Sequence, residues 1–344
     1  MSMQSIGRRQ VLLLGAAALA SSCSRSPSGT EQSAAASRKP VRIVNTAATF
    51  AVTIQQLIRD RGFLQQQGLQ PTFLSVADGS KIIGALLSGE ADICTASGFN
   101  QVLPAIERGG KLKILAGAEV LLLHLVYSCR PEIKTIKDLE GRTVGTGPVG
   151  ALLHSIMIAL LKKNDVDPAK VTFVNVGSSA DVFRSVAAKV VDAGPAELDY
   201  QSQAAKFNVH GLSEGNFWES LPEYTNQASY GSQQAITERR DVIVRTLAAY
   251  ANLYRFISSP ESKDAYLAAR ATVLNKNEPE QALAQWDFFQ QHKSFATDLS
   301  LSEERIRYMQ ELNVSLGVQR AVLPYEQVTD MSLARDAMRL VQAG

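Results

Sequence analysis

Short runs of aliphatic and β-branched residues alternate along this chain with stretches whose apolar positions recur at helical spacing. That order predicts parallel sheets covered by helices. Residues 41–45 read as a strand, and Ile54, Leu57 and Ile58 follow at helical spacing. Residues 72–76 form a second strand. Ser80 is placed to cap a helix carrying Ile82, Ile83, Leu86 and Leu87, Gly89 stops it, and 92–95 make a third strand. The pattern then returns. Residues 142–145 are a strand, Leu152, Ile156 and Leu160 share one helical row, and Leu153, Met157 and Leu161 share the next. A strand at 171–176, a helix at 179–188 and a strand at 190–193 complete a second βαβαβ unit.

The two units align at an offset of 100 residues, with Thr72/Thr172, Phe73/Phe173, Val76/Val176 and Asp92/Asp192 identical. One fold used twice would produce much of this likeness without duplication, and either origin gives two similar α/β lobes. Between the units, 112–129 is almost continuously apolar, with room for two strands or for one running from lobe to lobe. Beyond residue 240 the chain turns helical. Ile243, Leu247, Tyr250 and Tyr254 share a stripe, as do Ala282, Trp286 and Phe289, and later Met309, Leu312 and Leu316. Aromatics at that spacing read as core.

The N-terminus reads as an address. Arg8 and Arg9 precede a ten-residue apolar run, 11–20, that ends in Ser21-Ser22-Cys23. This is the layout of a secretory signal, and the run is too short to span a hydrocarbon core, which needs about 20 residues. The arginine pair resembles a twin-arginine export signal; an ordinary export signal carrying two charges is the alternative. Leu19-Ala20-Ser21-Ser22-Cys23 resembles a lipobox with its aliphatic residue one position early, making Cys23 the lipidation candidate, while Ala18-Leu19-Ala20 offers a rival cleavage site. Residues 24–40 have the composition of a flexible tether.

Charge and cysteine content narrow the classes. The chain has 35 Lys+Arg and 33 Asp+Glu, and residues 1–22 hold two arginines and no acid, leaving 33 of each in the mature part. A neutral domain without a basic run gives no electrostatic reason to bind nucleic acid. Cys94 and Cys129 lie in apolar, strand-like stretches, as buried thiols or as a disulfide permitted by an oxidising compartment. The four histidines show no metal-ligand spacing with one another or with the cysteines. No metal, cofactor or catalytic residue is therefore expected.

Gly62-Phe63 with Gly68-Leu69, then Ala85-Leu86-Leu87-Ser88-Gly89-Glu90-Ala91-Asp92-Ile93, resemble the opening lobe of substrate-binding proteins of nitrate/sulfonate/taurine ABC importers. The segment from Ile133 through Asp138-Leu139-Glu140-Gly141-Arg142 to Gly145 is similar to that family's entry into its second lobe. Val191-Asp192-Ala193 and Tyr325-Glu326-Gln327-Val328-Thr329-Asp330 resemble its later segments. Within the family the chain also resembles thiamine-pyrimidine-precursor-type binding proteins. The resemblance runs over 41–342. It implies a type II periplasmic-binding-protein-like α/β fold, with two βαβαβ lobes, a hinge and a ligand cleft. The layout is a signal peptide at 1–22, a tether at 23–40, lobe one at 41–128, lobe two at 129–228 and a mostly helical return to lobe one at 229–344, near Tyr230. It also implies an extracytoplasmic protein that binds a small-molecule solute and delivers it to an inner-membrane ABC permease; a monomer is expected, with the lipid anchor read from Cys23.

In open α/β sheets ligands sit beyond the carboxyl ends of the strands. The candidate binding residues are therefore Thr46, Thr49 and Phe50 after the first strand, and Ser97, Phe99 and Asn100 after the third. From the second lobe come Gly147, Val149, Gly150, Ser178 and Glu197, with Tyr230 at the return. Small residues at such turns let backbone amides approach a ligand, and serve plain turn and capping chemistry equally well. None of these loops carries Lys or Arg, whereas Glu197 follows the last second-lobe strand. The composition favours a ligand with an amine, amide or heterocyclic donor, although helix-start amides near Gly150 could hold an anion. Two other classes compete: a thiamine-pyrimidine-synthase-like enzyme, whose cysteine-rich iron segment is missing here, and a sensor partner presenting its ligand to a membrane receptor.

Overall fold

In the computed structural model, which describes residues 38–276 and 279–343, the two predicted units become two sheets of five strands. Arg8, Arg9 and Cys23 lie outside the described residues. The first unit runs β1 (Lys39–Thr46), α1 (Thr49–Asp60), β2 (Leu69–Val76), α2 (Gly79–Leu87), β3 (Ile93–Ser97) and then β4 (Leu112–Gly117). The second runs β5 (His124–Ser128), β6 (Thr143–Thr146), α3 (Leu152–Lys163), β7 (Thr172–Asn175), α4 (Ser179–Ala187), β8 (Ala193–Glu197) and β9 (His210–Asn216), and β10 (Ala228–Ser232) follows.

The sheet orders are β2-β1-β3-β10-β4 and β7-β6-β8-β5-β9. Each has three parallel strands and an antiparallel fourth lent by the crossing chain: β10 pairs antiparallel with β3, and β5 with β8. The apolar stretch 112–129 is therefore two strands in different sheets. The chain passes between sheets at 118–123, ahead of the expected boundary at 128/129, because β5 pairs with β8 and β9. The tether also ends sooner than expected: Lys39 and Pro40 already pair with Leu69 and Gln70.

The two shared aspartates explain why the halves look alike. The Asp92 carboxylate accepts from the Arg42 amide at the head of β1 (2.8 Å), and the Asp192 carboxylate from the Thr143 amide at the head of β6 (3.0 Å). Each aspartate also donates its own amide back, to the carbonyls of Arg42 (2.8 Å) and Thr143 (3.0 Å). An acidic side chain thus ties the third strand to the first in both sheets. Asp92 adds guanidinium contacts from Arg42 (2.6 Å) and Arg239 (2.5 Å), which hold its carboxyl below the usual range against the opposing effect of burial.

Helices α5 (Arg240–Ile257), α6 (Lys263–Leu274), α7 (Pro279–His292), α8 (Glu303–Ser315) and α9 (Ser332–Ala343) make up the return. The predicted stripe Ile243, Leu247, Tyr250 and Tyr254 is buried, and α5 packs on α9. Each fully buried Leu or Ile there contributes about 1.5–3 kcal/mol. Helix α7 also reaches the second half. Its Phe288 meets Trp218 at 5.0 Å between ring centroids, and the helix packs against the short turn Leu198–Tyr200. Beside that turn, Arg270 of α6 and Asp199 form an ion pair at 2.5 Å whose side chains are 5% and 2% exposed.

Candidate functional site

The carboxyl ends of β1 and β3 in one sheet and of β6 and β8 in the other open onto a shared cavity of about 640 Å³. The strand ends are fixed by Asn45, fully buried in β1. Its Oδ1 accepts from the amides of Thr95 (3.2 Å) and Ala96 (2.8 Å), and its Nδ2 donates to Thr95 Oγ1 (3.1 Å). Ser97 Oγ accepts from the Thr46 amide at 2.9 Å, holding the mouths of β1 and β3 together. The two passages between sheets are bonded to each other. The Gln227 amide donates to the Glu119 carbonyl (2.8 Å), and the Ala118 amide to the Gln227 carbonyl (3.2 Å).

Of the candidates in the first half, Thr46, Thr49, Phe50, Ser97 and Asn100 line this cavity, and from the second half Gly147, Ser178 and Glu197 do so. Four others do not. Phe99 is wholly buried in the apolar core, where burial of a large ring outweighs any stacking use. Tyr230 is likewise buried and spends its hydroxyl on the Gly98 carbonyl at 3.2 Å. Val149 is 85% exposed, and Gly150 turns the chain at φ +79°, with only Val318 near its missing side chain. Strand ends also run later than the apolar pattern predicts: Thr46, Ser97 and Glu197 are the last residues of strands rather than parts of loops.

Four helix starts border the space, with different chemistry, and that of α2 is capped by Asp78. Ser178 caps α4 in a reciprocal box with Asp181, so its hydroxyl is already engaged (2.6 Å to the Asp181 carboxylate). Helices α1 and α3 begin at Ala48 and Ala151 with no side-chain cap, leaving first-turn amides free for solvent or solute.

The ionisable groups of the lining are Asp78, Glu119, Glu197, Tyr200 and His124; among the described residues that line it there is no lysine or arginine. Asp78 caps α2. Glu197 closes β8 and stands directly across from His124, the first residue of β5. Such partners project from the same face of a sheet. Burial, helped by the Asp199 charge and opposed by Arg270, raises the Glu197 acid to about 7. Glu119 is 1% exposed; one carboxyl oxygen accepts from the Asn226 amide and the other has no partner. Burial and the charge of Glu197 raise its acid to about 8, against the Asn226 hydrogen bond. His124 is 5% exposed, its Nδ1 is unpartnered, and burial lowers its acid to about 4, so the ring is neutral. Neither Glu119 nor His124 was among the sequence candidates. The available signal was a lone acid and a lone histidine inside the apolar run 112–129.

A second cavity, about 790 Å³, opens behind Glu197 along α4 and α6 and shares Thr49, Ala180, Glu197 and Tyr200 with the first. Its lining carries three cations, Arg184, Arg270 and Lys276, whereas the first cavity is lined by none among the described residues. Cys94 in β3 and Cys129, just past the end of β5, are both free buried thiols. Burial pushes Cys94 up to about 12 and also raises Cys129, which disfavours thiolate chemistry at either. Among the described residues no group of three His, Cys, Asp or Glu is arranged to hold a metal ion.

The sequence model of the NMT1/THI5 like family matches residues 52–262, more than half of the chain. No curated protein sequence matches it. Among solved structures it is similar to the periplasmic aliphatic sulphonate binding protein SsuA from Escherichia coli, at 14% identity and a TM-score of 0.71, over 86% of this chain and 93% of that one. It is similar to the periplasmic nitrate-binding protein NrtA from Synechocystis PCC 6803, at 12% identity and a TM-score of 0.71, over 89% and 90%. The desulfurization enzyme DSZB matches at 15% identity and a TM-score of 0.61, over 88% and 99%. The likeness is one of fold, and the fold is that of periplasmic binding proteins.

Proposed function

The chain belongs to the NMT1/THI5 like family, and on that premise we propose that it is an extracytoplasmic solute-binding protein of an ABC importer. It holds one small organic solute between its two lobes and hands it to an inner-membrane permease. The observation that carries this reading is the 640 Å³ cavity at the carboxyl ends of two similarly ordered sheets, lined from both and flanked by two mutually bonded passages. Rotation about those passages would change the width of the space between the sheets, the usual way such a pair of lobes closes on a ligand.

The solute-contacting residues in this reading are Thr46, Thr49, Ser97, Asn100, Gly147 and Glu197, with Phe50 as an apolar wall. Glu197 gives the site its chemical preference. A half-buried carboxyl with no cation facing it across the cavity suits a solute that donates N–H or O–H groups. The fold neighbours named for sulphonate and nitrate bind anions. The lining described above supports a different choice for this chain, because a fixed anion site ordinarily recruits Arg or Lys. Binding without turnover is the reading favoured here, since the fold neighbours named for sulphonate and nitrate are binding proteins.

The N-terminal residues supply the address in this reading. Arg8 and Arg9 direct export, and Cys23 carries the lipid that keeps a monomeric protein at the membrane. A thermal-shift screen of amines, amides and nitrogen heterocycles against matched sulfonates and carboxylates tests the solute class. A donor solute at 100 times its Kd adds about 2.7 kcal/mol of stability. Glu197→Ala then weakens its binding by roughly 1.5–3 kcal/mol. Stabilisation by sulfonates or nitrate alone rejects the donor class, and chemical conversion of a bound compound rejects the binding-protein reading.

A further inference from the structure

We propose that Glu119 and His124 form a second recognition point in this cavity, which takes the N–H edge of a planar organic cation and releases a proton when it does so. The proposal rests on the solute-binding reading and adds to it the charge of the solute and the residues that read it. It stands on two side chains that the fold leaves incomplete. Glu119 is 1% exposed with one carboxyl oxygen unpartnered, and His124 is 5% exposed with Nδ1 unpartnered; both line the same cavity. A buried polar atom without a partner is costly, and the groups left in that state in a native fold commonly await a ligand, a water or an ion.

The placement of these groups follows from topology. Glu119 sits on the first passage between sheets, in an antiparallel bridge with Phe295, and its carbonyl is tied to Gln227 on the second passage. Its main chain is thereby fixed at the segment that joins the lobes, and its carboxyl is held by the Asn226 amide. His124 begins β5 across from Glu197, so the neutral imidazole and the two carboxyls border one space. That set offers acceptors and almost no cationic donor. An amidinium, flat and carrying N–H groups on two adjacent nitrogens, supplies both the donors and the charge such a set lacks.

Charge balance gives the proposal a signature. In the empty protein at neutral pH the Glu119 carboxyl is largely protonated, because burial and the Glu197 charge hold it near 8. The titratable neighbours are Glu197, raised to about 7, neutral His124, and the phenols of Tyr254 and Tyr266, which burial keeps protonated. When a cation arrives, the Glu119 O–H bond breaks, its proton passes to solvent buffer, and the carboxylate accepts the ligand N–H. No other bond changes and no redox partner is needed.

Calorimetry of the full chain with benzamidine, benzamide and benzenesulfonate tests this, since the three share a ring and differ in charge. Benzamidine stays cationic from pH 7 to 9, and its binding tightens over that range by about tenfold through Glu119 and about twofold more through Glu197. Heats in two buffers of different ionisation enthalpy show a proton released at pH 7, a result that needs no variant. Glu119→Gln weakens benzamidine about 10- to 150-fold at pH 9 and leaves only the smaller pH effect. Benzamide binds more weakly than benzamidine, and benzenesulfonate weakest. Benzamidine binding without proton release, or unaltered by Glu119→Gln, overturns the second recognition point and leaves the solute-binding reading intact. Failure of benzamidine to bind while a neutral donor solute binds through Glu197 does the same. Failure of every solute overturns both.

Discussion

Replacing Arg270 with methionine tests whether the buried ion pair beside the cavity secures the two halves. Arg270 lies 4% exposed on α6, 2.5 Å from the Asp199 carboxylate and 3.0 Å from Gln285 Oε1. An exposed pair of this kind would contribute about 0–1 kcal/mol. Here the substitution strands a carboxylate that is 2% exposed and already has one oxygen without a partner. Breaking a buried pair from one side costs about 3–5 kcal/mol, because the remaining charge is left desolvated. The double variant Arg270→Met with Asp199→Asn removes that charge and recovers most of the loss.

The deficit also has a sign with pH. Burial already holds the Asp199 acid above the ordinary aspartate range, and Arg270 is the group that opposes the shift. Without Arg270 the acid rises further. A raised acid contributes stability that is present below its unfolded value and lost as pH rises through its folded value. The single variant therefore falls further below wild type at pH 8 than at pH 5. Urea unfolding of wild type, single and double variants at both values reads this directly. A single variant within about 0.5 kcal/mol of wild type, well below the range for a broken buried pair, refutes the assignment. So does a deficit that grows toward acid.

The paired aspartates predict a graded result. Asp92→Asn costs about 2–4 kcal/mol in urea unfolding, because charged hydrogen bonds to two arginines are lost from a buried carboxylate. Asp192→Asn costs less, since Asp192 has one guanidinium partner and is more exposed; equal costs would reject the ranking. Mass spectrometry of the exported chain is expected to find lipid on an N-terminal Cys23, and an unmodified terminus elsewhere removes the anchor.

What the sequence made legible was whatever repeats or stays local. The two βαβαβ units, the helix stripes and the matching aspartates followed from spacing alone, and Asp92 and Asp192 play the same role at the heads of β1 and β6. The mouth of β8 was hidden because Gly194-Pro195-Ala196 has turn composition. The strand accommodates a proline because β8 pairs with β6 only at Ala193, so Pro195 leaves no ladder bond unmade on that side. Phe99 illustrates the opposite case: short-range pattern set it beside the ligand, whereas its ring lies in the core and outside the cavity lining. His124 escaped notice because its nearness to Glu197 arises from β5 pairing with β8, and Glu119 because it reaches the cavity from the passage between the sheets, both placements made by topology.

The central claim is that the two lobes close on a solute and return it unchanged. Small-angle scattering of the full chain, titrated with the solute that most stabilises it in the thermal screen, tests that claim most directly. The radius of gyration decreases at saturation, and mass spectrometry recovers the solute intact. An unchanged radius at saturation, or a recovered product of altered mass, contradicts the account.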